Sequence, residues 1–455
     1  MAAAALDPFG NRVTLQDAAS LPAVHDFVEG FLASEARIAN ILALADADHS
    51  ALVQAACAAL HLFAESRDAA ANAAPFVARA QAAAPAATPR EQRFVAAIAA
   101  WAAGDVRQAA RLHEAQVREH PRDLASLKLG SYHLFNLGDA PGMLRLALLA
   151  RDAAADVPYF HGLLAFGFEQ CHLLREAEAA ARQAIALRRK EPWAHHALAH
   201  VMLAEGRLHE GLDTLRGFSP AWVGLNSFME THNWWHLALF ALELGRHDEV
   251  LRLYDTQVWG VAKDYSQDQI NAVSLLARLE LAGVDVGARW QDVGAYLAAR
   301  TQDQVLPFLD LQYLYGLARA GRPEADALLR EIEAHARALS GTTEAPVWQQ
   351  VAVPAAAGLL AHARGQYAPA VQALGRALPR LAEIGGSHAQ RDLFAQVHLD
   401  AMMRAGQWAG AQQLLQPQLR DQPESIRLRR LAREAYTALG LGSLVTAELA
   451  SLAWS

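Results

Sequence analysis

Two histidine pairs carry the most chemistry-specific spacing in this chain: His196 with His200, and His232 with His236. Residues four apart on a helix lie about one turn above each other, so each His-x-x-x-His pair presents two imidazoles on one face. An imidazole near neutral pH can donate or accept a hydrogen bond, take up a proton, or ligate a transition metal. Three readings follow. The rings form a hydrogen-bonded polar layer between neighbouring helices, they donate to an acidic or polar ligand, or they chelate zinc or a similar divalent ion. No HExxH occurs, and no carboxylate stands at a spacing that would complete a catalytic set. Glu230 precedes His232 by two residues and points elsewhere, and His195 leaves the face of His196 by about 100°.

The elements that must position these rings are announced by a recurring phrase. An apolar helix ends in a Gly, a large residue follows two positions on, and a small one three further on. Gly104-Asp105-Val106 with Ala109, Gly206-Arg207-Leu208 with Gly211 and Gly245-Arg246-His247 with Val250 are examples. Gly365-Gln366-Tyr367 with Ala370 and Gly406-Gln407-Trp408 with Ala411 repeat it. This is the second half of the 34-residue tetratricopeptide pattern, with Gly at the turn between helices A and B and the small residue at their crossing. Pro121, Pro192 and Pro423 fall near repeat starts, where a missing N–H costs little. The fold expected is all-α: a tetratricopeptide-type α-solenoid of roughly nine or ten antiparallel helix pairs. Residues 1–22 read as an N-terminal arm, 23–85 as capping helices, and 86–455 as a repeat solenoid continuous with those caps. Longer connections interrupt the spacing at Gly217–Ser227 and Gly260–Gln267.

The repeat phase assigns side chains. With the turn Gly at position 15, helix-A positions 2, 5, 6, 9 and 12 face the concave groove, and 7, 8 and 11 pack on helix B. His196 and His200 then take groove positions 5 and 9, and His232 and His236 take 2 and 6. Trp235 falls at groove position 5 and walls a pocket, whereas Trp193 and Trp234 pack inside.

Composition narrows the alternatives. Ala-rich sequence with 7% aromatics favours closely packed helices, and no stretch alternates with period 2, so no sheet is expected. The 48 acidic and 40 basic residues leave a net charge of −8 spread along helix faces, which argues against nucleic acid as partner. Cys57 and Cys171 lie in apolar helical segments without CxxC spacing and read as buried free thiols. The start Met1-Ala2-Ala3-Ala4 lacks the features of a signal peptide, and no apolar run approaches the roughly 20 residues of a membrane span. A cytoplasmic protein, off the membrane, is the expectation; a homo-oligomer is compatible with it.

Trp193…His196…His200, followed by His232-Asn233-Trp234-Trp235-His236-Leu237-Ala238-Leu239, resembles the tetratricopeptide repeat protein 38 family. The likeness runs through Arg90-Glu91-Gln92, Tyr254-Asp255-Thr256 and Gly287…Arg289-Trp290-Gln291-Asp292-Val293. It ends in Gly385-Gly386-Ser387-His388-Ala389-Gln390-Arg391-Asp392, so it covers roughly Pro89 to Phe394. The resemblance implies an α-solenoid in which the four histidines form one set with Asn233, and it draws attention to Gln390, Arg391 and Asp392.

On its own residues, Gly385-Gly386-Ser387 is a loop whose Ser caps the next helix, with Arg391 and Asp392 in its first turn. Either these two make a local ion pair, or Arg391 anchors an anion at the groove. In a superhelix of this length Arg391 comes round to face the histidines across a central channel. The function expected is a binding protein that holds a small polar or anionic ligand, or a peptide or protein end, in that histidine-lined groove. Its ligand-binding set is His196, His200, His232, Asn233, Trp235, His236, Gln390, Arg391 and Asp392. The alternative is an enzyme in the same cavity, with a histidine general base or a divalent metal on His196, His200, His232 and His236.

Overall fold

Helices dominate because the sequence supplies their stop and start signals at every repeat. The turn glycines Gly104, Gly206, Gly245, Gly365 and Gly406 all have φ between 69° and 82°, a left-handed conformation that a Cβ disfavours. The residues three beyond the large one, Ala109, Gly211, Val250, Ala370 and Ala411, are all buried. Small side chains there let helix B approach helix A. Asp105, Asp123 and Asp139 cap the helices that follow them, each accepting from a backbone N–H in the first turn.

A computed structural model describes residues 4–445; residues 1–3 of the expected arm and 446–455 of the expected array lie outside the described residues. The chain is an all-α tetratricopeptide-type solenoid. Its helices are α1 Leu21–Ala33, α2 Ala51–Leu62, α3 Ala69–Ala83, α4 Pro89–Ala102, α5 Val106–Glu119, α6 Leu124–Asn136, α7 Ala140–Leu148, α8 Pro158–Gln170, α9 Leu174–Leu187 and α10 Pro192–Ala204. There follow α11 Leu208–Phe218, α12 Ser227–Glu243, α13 His247–Leu253, α14 Ser266–Leu281, α15 Arg289–Leu297, α16 Pro307–Arg319 and α17 Glu324–Ala338. The last are α18 Ala345–Val347, α19 Val353–Ala363, α20 Tyr367–Ala377, α21 His388–Arg404, α22 Trp408–Asp421 and α23 Ile426–Ala438. Consecutive helices pack as pairs, among them α4 with α5, α8 with α9, α19 with α20 and α22 with α23. Among the described residues, no helix is long and apolar enough to cross a membrane.

Two compact units divide the chain: Met1–Leu198 with Ala221–Glu230, and Ala199–Pro220 with Thr231–Ser455. In the first, the expected arm is not sheet-free. Strands β1 (Ala4–Leu6) and β2 (Arg12–Thr14) pair antiparallel. Three-residue strands are too short for alternation to register in sequence, and side chains fix them instead. Asp7 closes the turn by accepting from the Phe9 and Asn11 amides, both at 2.9 Å. Glu91, in the capping box that starts α4, accepts from the Thr14 amide at 2.7 Å and from its hydroxyl at 2.9 Å. Buried Arg90 pairs with Asp123 at 2.8 Å and donates to the Arg12 carbonyl. Arg90-Glu91 is thus a clasp for the ribbon. Cys57 is buried as expected, whereas Cys171 is only half-buried because it closes the end of α8 rather than lying inside it.

In the second unit the C-terminal helices share a core of Leu399, Met402, Met403, Leu415, Leu428 and Leu431. The pair α19–α20 shows how tightly these helices cross. A Cβ on Gly358 would lie 2.6 Å from Leu374 Cγ and 2.9 Å from its backbone nitrogen. Overpacking of this kind costs about 1–3 kcal/mol, against about 1 kcal/mol gained in helix propensity. Gly358→Ala should therefore lower the melting temperature, and an unchanged or higher value in calorimetry would disprove the close crossing.

Candidate functional site

The second unit brings together three of the four histidines. His200 stands on α10, and His232 and His236 stand one turn apart on α12. The His200 and His236 ring centroids are 4.6 Å apart, and those of His232 and His236 are 4.7 Å apart at 83°. Trp235 stacks on His232 at 5.2 Å and 9°, and meets His236 edge-on at 4.8 Å. His196 belongs to the first unit, where its ring packs on Phe166 at 5.0 Å and Trp193 at 5.4 Å.

Burial departs from the sequence reading. His196, His200, His232, His236, Asn233 and Trp235 are all 0–2% exposed. They do not line an open groove. In this array the helix-A face carries large rings, and in the second unit α14 lies against it and covers it. Thr231 donates to Asp268 at 3.1 Å, and His232 Nδ1 meets Asn271 Oδ1 at 3.0 Å. Burial is the main reason the His232 pKa drops to about 4; the Asn271 hydrogen bond opposes it and His200 reinforces it. His232 is therefore neutral at pH 7. Asn233 is buried too, and among the described residues nothing hydrogen-bonds its carboxamide.

Sequence reasoning missed α14 as the other wall. Asp268, Asn271, Ser274 and Arg278 are all buried, and their three-, three- and four-residue spacing puts them on one helix face. That polar stripe within an apolar helix was the readable signal. Arg278 is 2% exposed and lies over the Trp235 ring at 5.4 Å. It donates to the Ala389 carbonyl at 2.6 Å and to Ser274 Oγ. Its nearest carboxylate among the described residues, Asp392, is 4.0 Å away and half-exposed. Burial pushes the guanidinium pKa down to about 10, opposed by Asp392.

The Gly385-Gly386-Ser387 segment caps α21 as its sequence suggests: Ser387 and Gln390 form a capping box, so the Gln390 side chain is engaged with the Ser387 amide at 2.9 Å. Arg391 donates back to the Gly385 and Gly386 carbonyls rather than pairing with Asp392. Asp392 instead accepts from Gln396 at 2.5 Å and approaches Arg278. Of the two readings of this segment, neither an Arg391–Asp392 ion pair nor an anion anchor is what these bonds show; the double glycine leaves carbonyls within reach of Arg391.

No family model matches the chain. Among solved structures, similarity is found to the human IFIT1 dimer with PPP-AAAA, at 11% identity over 93% of both chains with a TM-score of 0.42. The human IFIT1 dimer with m7Gppp-AAAA gives 12% identity over 94% of both chains and a TM-score of 0.39. Naa15/Naa10 bound to HypK-THB gives 12% identity over 80% of this chain and 63% of that one, with a TM-score of 0.25.

Proposed function

We propose that the chain is a binding protein whose second unit holds a small anionic ligand, a phosphate or a carboxylate, beside His200, His232, His236 and Arg278. The observation that carries this reading is Arg278: a buried guanidinium whose closest carboxylate stands at 4.0 Å. A buried cation whose ion pair is this long, to a half-exposed carboxylate, is only partly compensated, and a bound anion would add to that compensation. The His200 and His236 imidazoles, which stand against His232 and Trp235, bring N–H groups of the kind an anion accepts from. Burial favours a ligand enclosed in the interior over a broad surface partner. A peptide C-terminus is compatible with the same chemistry. Catalysis by His232 as general base suits the arrangement less, since a base of pKa about 4 is weak at neutral pH.

Titration calorimetry with inorganic phosphate and with malonate tests the proposal. A charged hydrogen bond contributes about 1.5–3 kcal/mol, so Arg278→Met should weaken binding about 10- to 100-fold. Arg278→Lys, which keeps the charge, should retain part of it. Equal binding by the Met variant would remove Arg278 from the site.

A divalent metal is the second reading, favoured by one contact. Asn271 Oδ1 at His232 Nδ1 selects the tautomer whose Nε2 keeps its lone pair, an arrangement common behind metal-ligating histidines. Metal analysis of untagged protein distinguishes the two. Stoichiometric zinc lost on His232→Ala supports the metal, and its absence, with phosphate bound, supports the anion.

A further inference from the structure

A cavity of about 370 Å³ lies elsewhere in the second unit, where the π-turn Tyr254–Val258 ends α13 and faces the start of α15. It is lined by the Tyr254-Asp255 and Arg289…Asp292 segments, which the histidine site does not use. Arg289 grips Asp255 through two bonds of 2.8 and 2.7 Å. Opposite them, Lys263 bonds Asp292 at 2.8 Å while its ammonium lies 5.1 Å from the Trp259 ring centroid and 5.6 Å from that of Tyr296. Trp259 is itself fixed, donating its indole N–H to the same Asp292 oxygen at 2.5 Å.

An ammonium held against two aromatic rings and a carboxylate is the arrangement by which proteins recognise organic cations. Here the cation comes from the chain's own connection between α13 and α14. Asp292 is short and borne on a helix, and Trp259 is buried, so both stay in place. Lys263 hangs on a long, solvated arm from an irregular connection, with about a third of its side chain exposed. Its departure would leave an electronegative aromatic cradle beside an open cavity. We propose that this cleft binds an organic ammonium group, such as a lysine side chain or a methylated amine, and that Lys263 is its displaceable internal occupant.

The test uses the full chain and tetramethylammonium as probe, followed by saturation-transfer NMR of the methyl protons. Lys263→Ala should bind it at least about tenfold more tightly than the parent protein. Lys263→Ala/Asp292→Asn should lose that gain, because Asn keeps the bond to Trp259 but not the charge. Circular dichroism establishes that both variants are folded, and Lys263→Ser carries the same expectation should the Ala variant not be. No saturable binding by the folded Lys263 variants, or equal binding after Asp292→Asn, overturns the proposal. So does a preference of the same cleft for sulfate.

Discussion

Lowering the pH from 6.5 to 4.5 should destabilise the fold by roughly 5 kcal/mol, well before ordinary carboxylates protonate. The fully buried groups set the sign. Burial drops His113 to about 3 and His195 and His232 to about 4, and pushes His133 well below its usual value. Each stays neutral in the fold while the unfolded chain takes a proton near pH 6.5, so each contribution is complete above that pH and is lost on acidification. Two buried carboxyls act oppositely: Glu191 is raised to about 8 and Asp310 well above its usual value, again by burial. They hold protons that the unfolded chain releases above about pH 4.5. Four losses against two gains leave two protons, or about 2.7 kcal/mol per pH unit. Scanning calorimetry should show the melting temperature falling by roughly 5 °C across this window. A flat profile would mean that these imidazoles are hydrated. His113→Phe should blunt the fall, since its Nε2 has no hydrogen-bond partner among the described residues.

The second large effect lies at the ion pair between α12 and α23. Arg427 Nε meets Glu243 Oε1 at 2.7 Å with both side chains buried, and Ser425 Oγ donates to the same carboxylate. Burial works against the Arg427 charge, and the Glu243 carboxylate overrides it, leaving the pKa raised. Breaking such a pair by removing one partner costs about 3–5 kcal/mol, because the other charge remains buried. Arg427→Ala should lose that much, about 3–5 °C in melting temperature. Replacing both, as Glu243→Leu/Arg427→Met, should recover most of it. A single-variant loss below about 1 kcal/mol would show that water reaches the pair.

The repeat architecture was readable because its signals are local: a left-handed Gly, a small residue at a crossing, an Asp cap. The ring cluster was readable in part, since four-residue spacing puts His232 and His236 on one face wherever the helix is placed. What spacing cannot say is how closely the next helix covers that face. The repeat phase puts Trp235 on a pocket wall, and the structure buries it fully instead. The cation that stands by the rings, Arg278, belongs to α14, which lacks the turn phrase that fixed the phase elsewhere. Arg391 stands out in sequence because it follows a conspicuous loop, yet the glycine carbonyls of that loop accept from it.

The clasp at the N-terminal ribbon also bears on how this array comes apart. Stacked repeats are coupled only to their neighbours, so they open most readily at their ends, where one interface is missing. Here Thr14 is tied to Glu91 across 77 positions of chain. Fraying at that end must undo a long closure before it frees a single helix. Trimming the chain back to Thr88 would take the Arg12 carbonyl from Arg90 and Thr14 from Glu91, and expose an edge that the ribbon covers.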